Sequence, residues 1–164
     1  MKYFFIIIFI AIFLYIGFFF SKKYRQRQQF FNAIILLCHK FDVEINFSRE
    51  RIKNIFESLD EKIKSQLFGI DKNYIAYLSE QNALDKHSLF HNINFLKEDE
   101  KDLIFVFFKT LGRSDIDSQS KEIRTFSSRF DEIFKSAQQE NKKYGTFSIK
   151  LAIIASIFIL ILFI

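Results

Sequence analysis

The chain has no proline, no tryptophan, one cysteine and four glycines in 164 residues. Each shortage excludes something. Without proline, no ring clashes with a preceding turn and no helical N–H is lost, so long uninterrupted helices are open to this chain. With Cys38 alone, a disulfide within the chain is impossible, and a reducing compartment is compatible. No glycine-rich phosphate loop occurs, so nucleotide binding has no support. No repeat, Gly/Ser linker or low-complexity run interrupts residues 21–146, so one domain is expected there. Excess charge is small as well. The formal net charge is +5, and setting aside Lys2 and Lys150 leaves 22 basic against 19 acidic residues, or +3. That is too mild for nucleic acid, and the basic residues gather at two places rather than in one stripe.

Long apolar runs, by contrast, are present at both ends. Tyr3–Phe20 carries no charge, and its 18 residues would rise about 27 Å as a helix, close to a hydrocarbon core of about 30 Å. Only a helix satisfies every backbone polar group of one segment in lipid. A cleaved signal peptide fits less well: the apolar core is long, no small-residue cleavage site follows, and Lys22, Lys23, Arg25 and Arg27 come at once. Tyr144–Ile164 forms a second run with one charge, Lys150, placed where a lysine can snorkel to the headgroups. Ser148, Ala152 and Ser156 recur every four residues and make a candidate small-residue packing seam, as do Gly17 and Ser21 in the first run. Basic residues flank both runs internally (Lys22, Lys23, Arg25 and Arg27; Lys142 and Lys143), with Lys2 alone outside. The positive-inside rule then puts the middle in the cytoplasm and both termini across the membrane.

The fold class expected is all-α: a transmembrane helix over 1–20, a cytoplasmic helical bundle over 21–143 and a transmembrane helix over 144–164. Phe30, Phe31, Ile34, Ile35, Leu37, Cys38 and Phe41 continue the first helix as an apolar stripe. Ser48 reads as an N-cap with Phe47 and Ile52 as a hydrophobic staple, opening a helix through Ile55, Phe56, Leu59 and Ile63. Gly69 ends or follows it. Tyr74–Leu78 suggests a short helix, and Leu84–Phe95 one or two more. Glu98, Asp99 and Glu100 suit the first turn of a helix over Lys97–Leu111, with Gly112 as its stop. Ile116, Ile123, Phe130 and Ala137, seven apart with Phe126 and Ile133 between them, form a heptad-like seam leading into the second anchor. The two long terminal helices can then pair antiparallel, passing force or position from a cytoplasmic partner to the bilayer.

Chemistry is scarce. His87 and His91, four apart, could share a helix face and bind zinc, but no general-base Glu or nearby Cys completes a protease pattern. Cys38 lies in an apolar stripe, where a buried structural thiol is expected rather than a nucleophile. No carboxylate pair has a spacing that singles out acid–base work. No cofactor, metal or catalytic residue is expected.

The segment Leu111-Gly112-Arg113-Ser114-Asp115, with Gln119 four residues on, carries a resemblance. It is preceded by an acidic helix and followed by a long helix, a basic turn (Asn141-Lys142-Lys143-Tyr144) and an apolar span. This order resembles the stage III sporulation protein AB family of endospore-forming bacteria, whose signature reads Leu-Gly-x-Ser-Asp-x-x-x-Gln. Gly17, Arg25, Arg27 and the helix ending in Glu44-Ile45 agree more loosely. Ser148 and Ala152 stand where the family tends to carry glycine, and a proline turn expected after Ile45 is absent. The resemblance implies a helical bundle similar to the platform proteins of type II secretion and type IV pilus machines. It further implies a place in the complex joining mother cell and forespore, with the domain facing a stage III sporulation AA secretion-type ATPase. Locally, Gly112 would end one helix at positive φ, Ser114 or Asp115 would cap the next, and Gln119 would bond back across the junction. A structural role for these residues stands beside direct partner contact.

The function expected is thus a non-enzymatic membrane scaffold in sporulation, with membrane and ATPase as partners, no nucleic acid, and self-association open. Two rivals stand beside it: a zinc-dependent membrane hydrolase using His87 and His91, and a membrane tether or sensor unrelated to sporulation.

Overall fold

The computed structural model describes residues 2–47, 51–80, 84–91 and 93–163, without the side chains of 2–7, 9, 80, 162 and 163. Helix dominates, and no strand occurs among the described residues. The elements are α1 (Lys2–Phe47), α2 (Ile52–Glu57), α3 (Glu61–Gln66), α4 (Ile70–Glu80), α5 (Lys86–Leu89), α6 (Glu98–Thr110), α7 (Ile116–Glu140), a π-helical turn (Asn141–Gly145) and α8 (Thr146–Phe163). The chain divides into two compact units, Gln29–Phe134 and Met1–Gln28 with Lys135–Ile164.

The Gln29–Phe134 unit is organised by phenylalanine. Of the stripe read from the sequence, Phe30, Phe31, Ile34, Leu37, Cys38 and Phe41 are fully buried and Ile35 partly so. Phe41 packs edge-on to Phe56 of α2, with ring centroids 5.3 Å apart. Phe56 meets Tyr74 of α4 at 5.4 Å, and Tyr74 meets Phe108 of α6 at 4.9 Å. Phe107 meets Phe130 of α7 at 5.5 Å, perpendicular to it. Each such pair adds about 0.5–1.5 kcal/mol beyond area burial, so the ring chain ties five helices to one core. The Tyr74 hydroxyl donates to the Phe108 carbonyl at 2.9 Å, which makes tyrosine acceptable there. Phe31 against Phe130 and Asp42 against Ser120 show that α1 and α7 run antiparallel within this unit.

Three local expectations change. The helix expected from Ile52 through Ile63 breaks into α2 and α3. The Ser58 hydroxyl donates to the Ile55 carbonyl at 3.0 Å, competing with the helical ladder, and the Lys40 ammonium takes up the Ser58 carbonyl at 2.7 Å. Asp60 is extended and restarts the chain as α3. Ser48 lies outside the described residues; the residue preceding α2 is Arg51, and Phe47 is 85% exposed rather than packed as a staple. The basic segment after α7 is a π-helical turn, not a break, so helical bonding continues from Asn141 to Gly145. The acidic start of α6 does more than answer the helix dipole: the buried Glu100 carboxylate accepts from the Lys97 N–H at 2.9 Å.

In the unit of residues 1–28 and 135–164, α1 and α8 approach closely and antiparallel. A Cβ built on Gly17 would lie 2.5 Å from Ala152 Cβ and 3.1 Å from the Ser148 carbonyl oxygen. Only a residue without a side chain lets the backbones meet there. Among the described residues, one helical run, Ile116–Ile161, is long and apolar enough to cross a membrane.

Candidate functional site

The α6–α7 junction is built from local bonds. Leu111 is buried and its N–H reaches the Phe107 carbonyl at 3.3 Å, ending α6. Gly112 follows at φ +77°, a conformation costing other L-residues about 1–2 kcal/mol. Its N–H donates to Gln119 Oε1 at 3.0 Å. Gln119 is 5% exposed, so this bond satisfies a buried amide and closes the junction one turn into α7. Asp115 caps α7: its Oδ2 accepts from the Ser118 N–H at 3.2 Å. The Ser118 hydroxyl and N–H hold the Asp115 carboxyl below its usual range. Ser114 bonds instead to Glu122, at 3.3 Å.

Beside the junction lies a polar network that sequence reasoning missed. The Ser120 hydroxyl donates to Asp42 Oδ1, and Arg124 Nε donates to Asp42 Oδ2 at 2.9 Å. The Asn46 amide reaches both Asp42, at 3.0 Å, and Ser120, at 3.1 Å. Burial pushes the Asp42 carboxyl up, but Ser120, Arg124 and Asn46 together hold it below the usual carboxylate range. The only trace in the sequence is two polar pairs at helical spacing, Asp42 with Asn46 and Ser120 with Arg124; nothing local says that they meet. Of the loosely matching pair Glu44-Ile45, Ile45 is buried and Glu44 partly so.

Ile45, Ile52, Leu78, Gly112, Ser114, Ile116 and Gln119 line an open groove of about 430 Å³, with Arg51 and Lys53 at its side. The signature thus has two aspects: Gly112 and Gln119 hold the junction, and the same residues wall an apolar groove.

Residues 2–164 match the family model for Stage III sporulation protein AB. The chain belongs to that family. No curated protein and no solved structure shows a significant match. Membership makes this a sporulation protein family, and the signature residues Leu111, Gly112, Ser114, Asp115 and Gln119 converge on the one junction in this member.

The remaining candidates fall elsewhere. His87 and His91 have ring centroids 5.9 Å apart, both exposed, beside a cavity of about 710 Å³ shared with Lys86, Glu98 and Lys101. Helix α5 ends at Leu89, so His91 lies beyond it and the two do not share a helix face. Among the described residues no group of three or more His, Cys, Asp or Glu could hold a metal ion. Cys38 is fully buried, and that burial raises its thiol far above the usual range, away from nucleophilic use. In the other unit, Gly17, Ala152 and Ser156 are buried and Ser148 partly so. The hydroxyls of Ser148 and Ser156 donate to carbonyls four residues back, Tyr144 at 2.7 Å and Ala152 at 2.8 Å, so their polarity is satisfied within the helix. Asn141 donates to Gln28 Oε1 at 2.7 Å, and Arg27, 4% exposed, pairs with Glu140 at 2.6 Å. Arg27, read as a flanking cation, is therefore an internal pairing residue.

Proposed function

We propose that this family member is a non-enzymatic scaffold with two membrane spans, its helical domain in the cytoplasm of the mother cell. There it couples a stage III sporulation AA-type ATPase to a secretion-like channel complex between mother cell and forespore. Family membership supports the sporulation setting. The observation that carries the scaffold reading is the junction itself: its polar atoms are engaged in shaping a helix pair, and what it leaves open is an apolar groove suited to a protein segment. Tyr3–Phe20 supplies the second span on length and hydropathy, and the internal basic flanks orient both spans.

Co-purification of the full chain with that ATPase tests the coupling. Ile116 lines the groove and is 39% exposed, so Ile116→Lys should leave the fold intact and release the ATPase. Retention of the ATPase by a folded Ile116→Lys protein refutes docking at the groove, and no co-purification with the parent chain refutes the coupling. A reporter fused after Ile164 that is active in the cytoplasm overturns the topology. Stoichiometric zinc in the purified protein, lost on His91→Ala, would sink the scaffold-only reading in favour of an enzyme.

A further inference from the structure

The formal charge of +5 conceals a division between the two units. Residues 1–28 and 135–164 hold nine basic residues and one acidic one, Glu140, a formal +8; Gln29–Phe134 holds 15 basic and 18 acidic residues, or −3, and the two make +5. Glu140 is itself engaged by the buried Arg27. No other carboxylate side chain in that unit is available to neutralise the rest.

Apart from Lys2, Lys135 and Lys150, the cations it leaves over are grouped. Lys22, Lys23 and Arg25 follow the first apolar run on α1; Lys142 and Lys143 precede the second, in the π-helical turn. All five are exposed, and none makes an ion pair among the described residues. Two tyrosines bring the groups to one level: the Tyr24 and Tyr144 ring centroids are 5.7 Å apart, and Lys143 Nζ lies 5.1 Å from the Tyr144 centroid. Tyrosine is at home at headgroup depth, with an apolar ring and a polar tip. We infer that these five cations form a two-helix collar that binds the phosphates of anionic phospholipids in the cytoplasmic leaflet. The inference rests on the membrane-spanning reading above and adds a ligand class to it. Clustered cations at this position are drawn to anionic headgroups, each by roughly fivefold at low ionic strength. The collar also explains the contrast with Arg27, whose charge is held inside.

The chain has no tryptophan, so Phe147→Trp, at a 58% exposed position one turn beyond Lys143, gives a single fluorescent reporter. The full chain carrying it is reconstituted in phosphatidylcholine vesicles containing either brominated phosphatidylcholine or the same mole fraction of brominated phosphatidylglycerol. The collar requires stronger quenching by the phosphatidylglycerol, an apparent preference of about fivefold or more at low salt. The preference should fall as salt shortens the Debye length below about 10 Å, an effect that needs no further variant. Replacing all five cations by Gln should remove it while phosphatidylcholine quenching persists. Equal quenching by both lipids at low salt overturns the collar and leaves the spans standing. Quenching by neither overturns the collar and the second span together.

Discussion

Gly112→Ala isolates the backbone demand at the signature junction. Two costs can be worked out. The first is conformational: alanine held at φ +77° loses about 1–2 kcal/mol relative to glycine. The second is steric: the new methyl would lie 2.6 Å from Ile52 Cδ1, with the next atom, Ile52 Cγ1, at 4.0 Å. Cδ1 is the free end of a side chain, so Ile52 can rotate away at about 0.5–1.5 kcal/mol for an off-rotamer angle. The total is about 1.5–3.5 kcal/mol. Ile52→Val deletes Cδ1 and nothing else, so the double variant should recover about 1 kcal/mol relative to the summed single effects. The remainder belongs to φ and should survive in both backgrounds. Denaturant unfolding of the full chain in micelles, followed by circular dichroism, measures all three proteins. A Gly112→Ala protein within about 0.5 kcal/mol of the parent refutes the positive-φ stop. Strict additivity with Ile52→Val refutes the contact with Ile52.

Gln119→Ala should cost about 1–3 kcal/mol, because the Gly112 N–H loses its partner at a part-buried site; the same unfolding assay checks it, and a neutral variant would contradict the bond. Asp42 sets an acid limb. Its folded pKa is depressed below the ordinary 3.8, so its stabilisation is present above that value and is lost as pH falls below it through the folded pKa. Asp42→Asn should therefore be less stable near neutrality and show a flatter stability–pH curve below about pH 4, read from thermal unfolding across pH. Cys38 should resist alkylation in the folded chain and label fully in denaturant, since burial raises its pKa and closes access; rapid labelling of folded protein, followed by mass spectrometry, would place the thiol at the surface.

What was legible in the sequence was local. The stripe Phe30–Phe41, the acidic start of α6 and the stop at Gly112 each depend on residues within a few turns, and periodicity and capping rules operate at that range. The split between α2 and α3 was not legible, because Lys40 of α1 stabilises it from 18 residues away. The Asp42–Ser120 bond spans 78 residues, and Arg27–Glu140 spans 113. Reading either pair requires knowing the register of two helices, which no single-helix pattern carries. Arg27 shows the consequence: sequence order sets it beside Lys22, Lys23 and Arg25, and its pairing with Glu140 is visible only once the two helices are in register.

This difference in range bears on how the signature should be interrogated. Gly112, Asp115 and Gln119 each satisfy a backbone group within the junction: a positive φ, a free N–H at the start of α7, and the N–H of Gly112 itself. Their loss would perturb the angle between α6 and α7 whether or not a partner ever touches them. A substitution there that abolishes sporulation would thus be read as loss of contact when it is loss of shape. The groove residues behave differently. Ile116 and Leu78 line the opening without holding a junction bond, and Ile116 already tolerates solvent over 39% of its surface. A charge at Ile116 alters what the groove can receive while leaving the φ of Gly112 and the cap of Asp115 in place. Partner contact is therefore separable from scaffold integrity at positions outside the polar signature, and a defect at Ile116 with unchanged unfolding is the result that assigns the groove a function of its own.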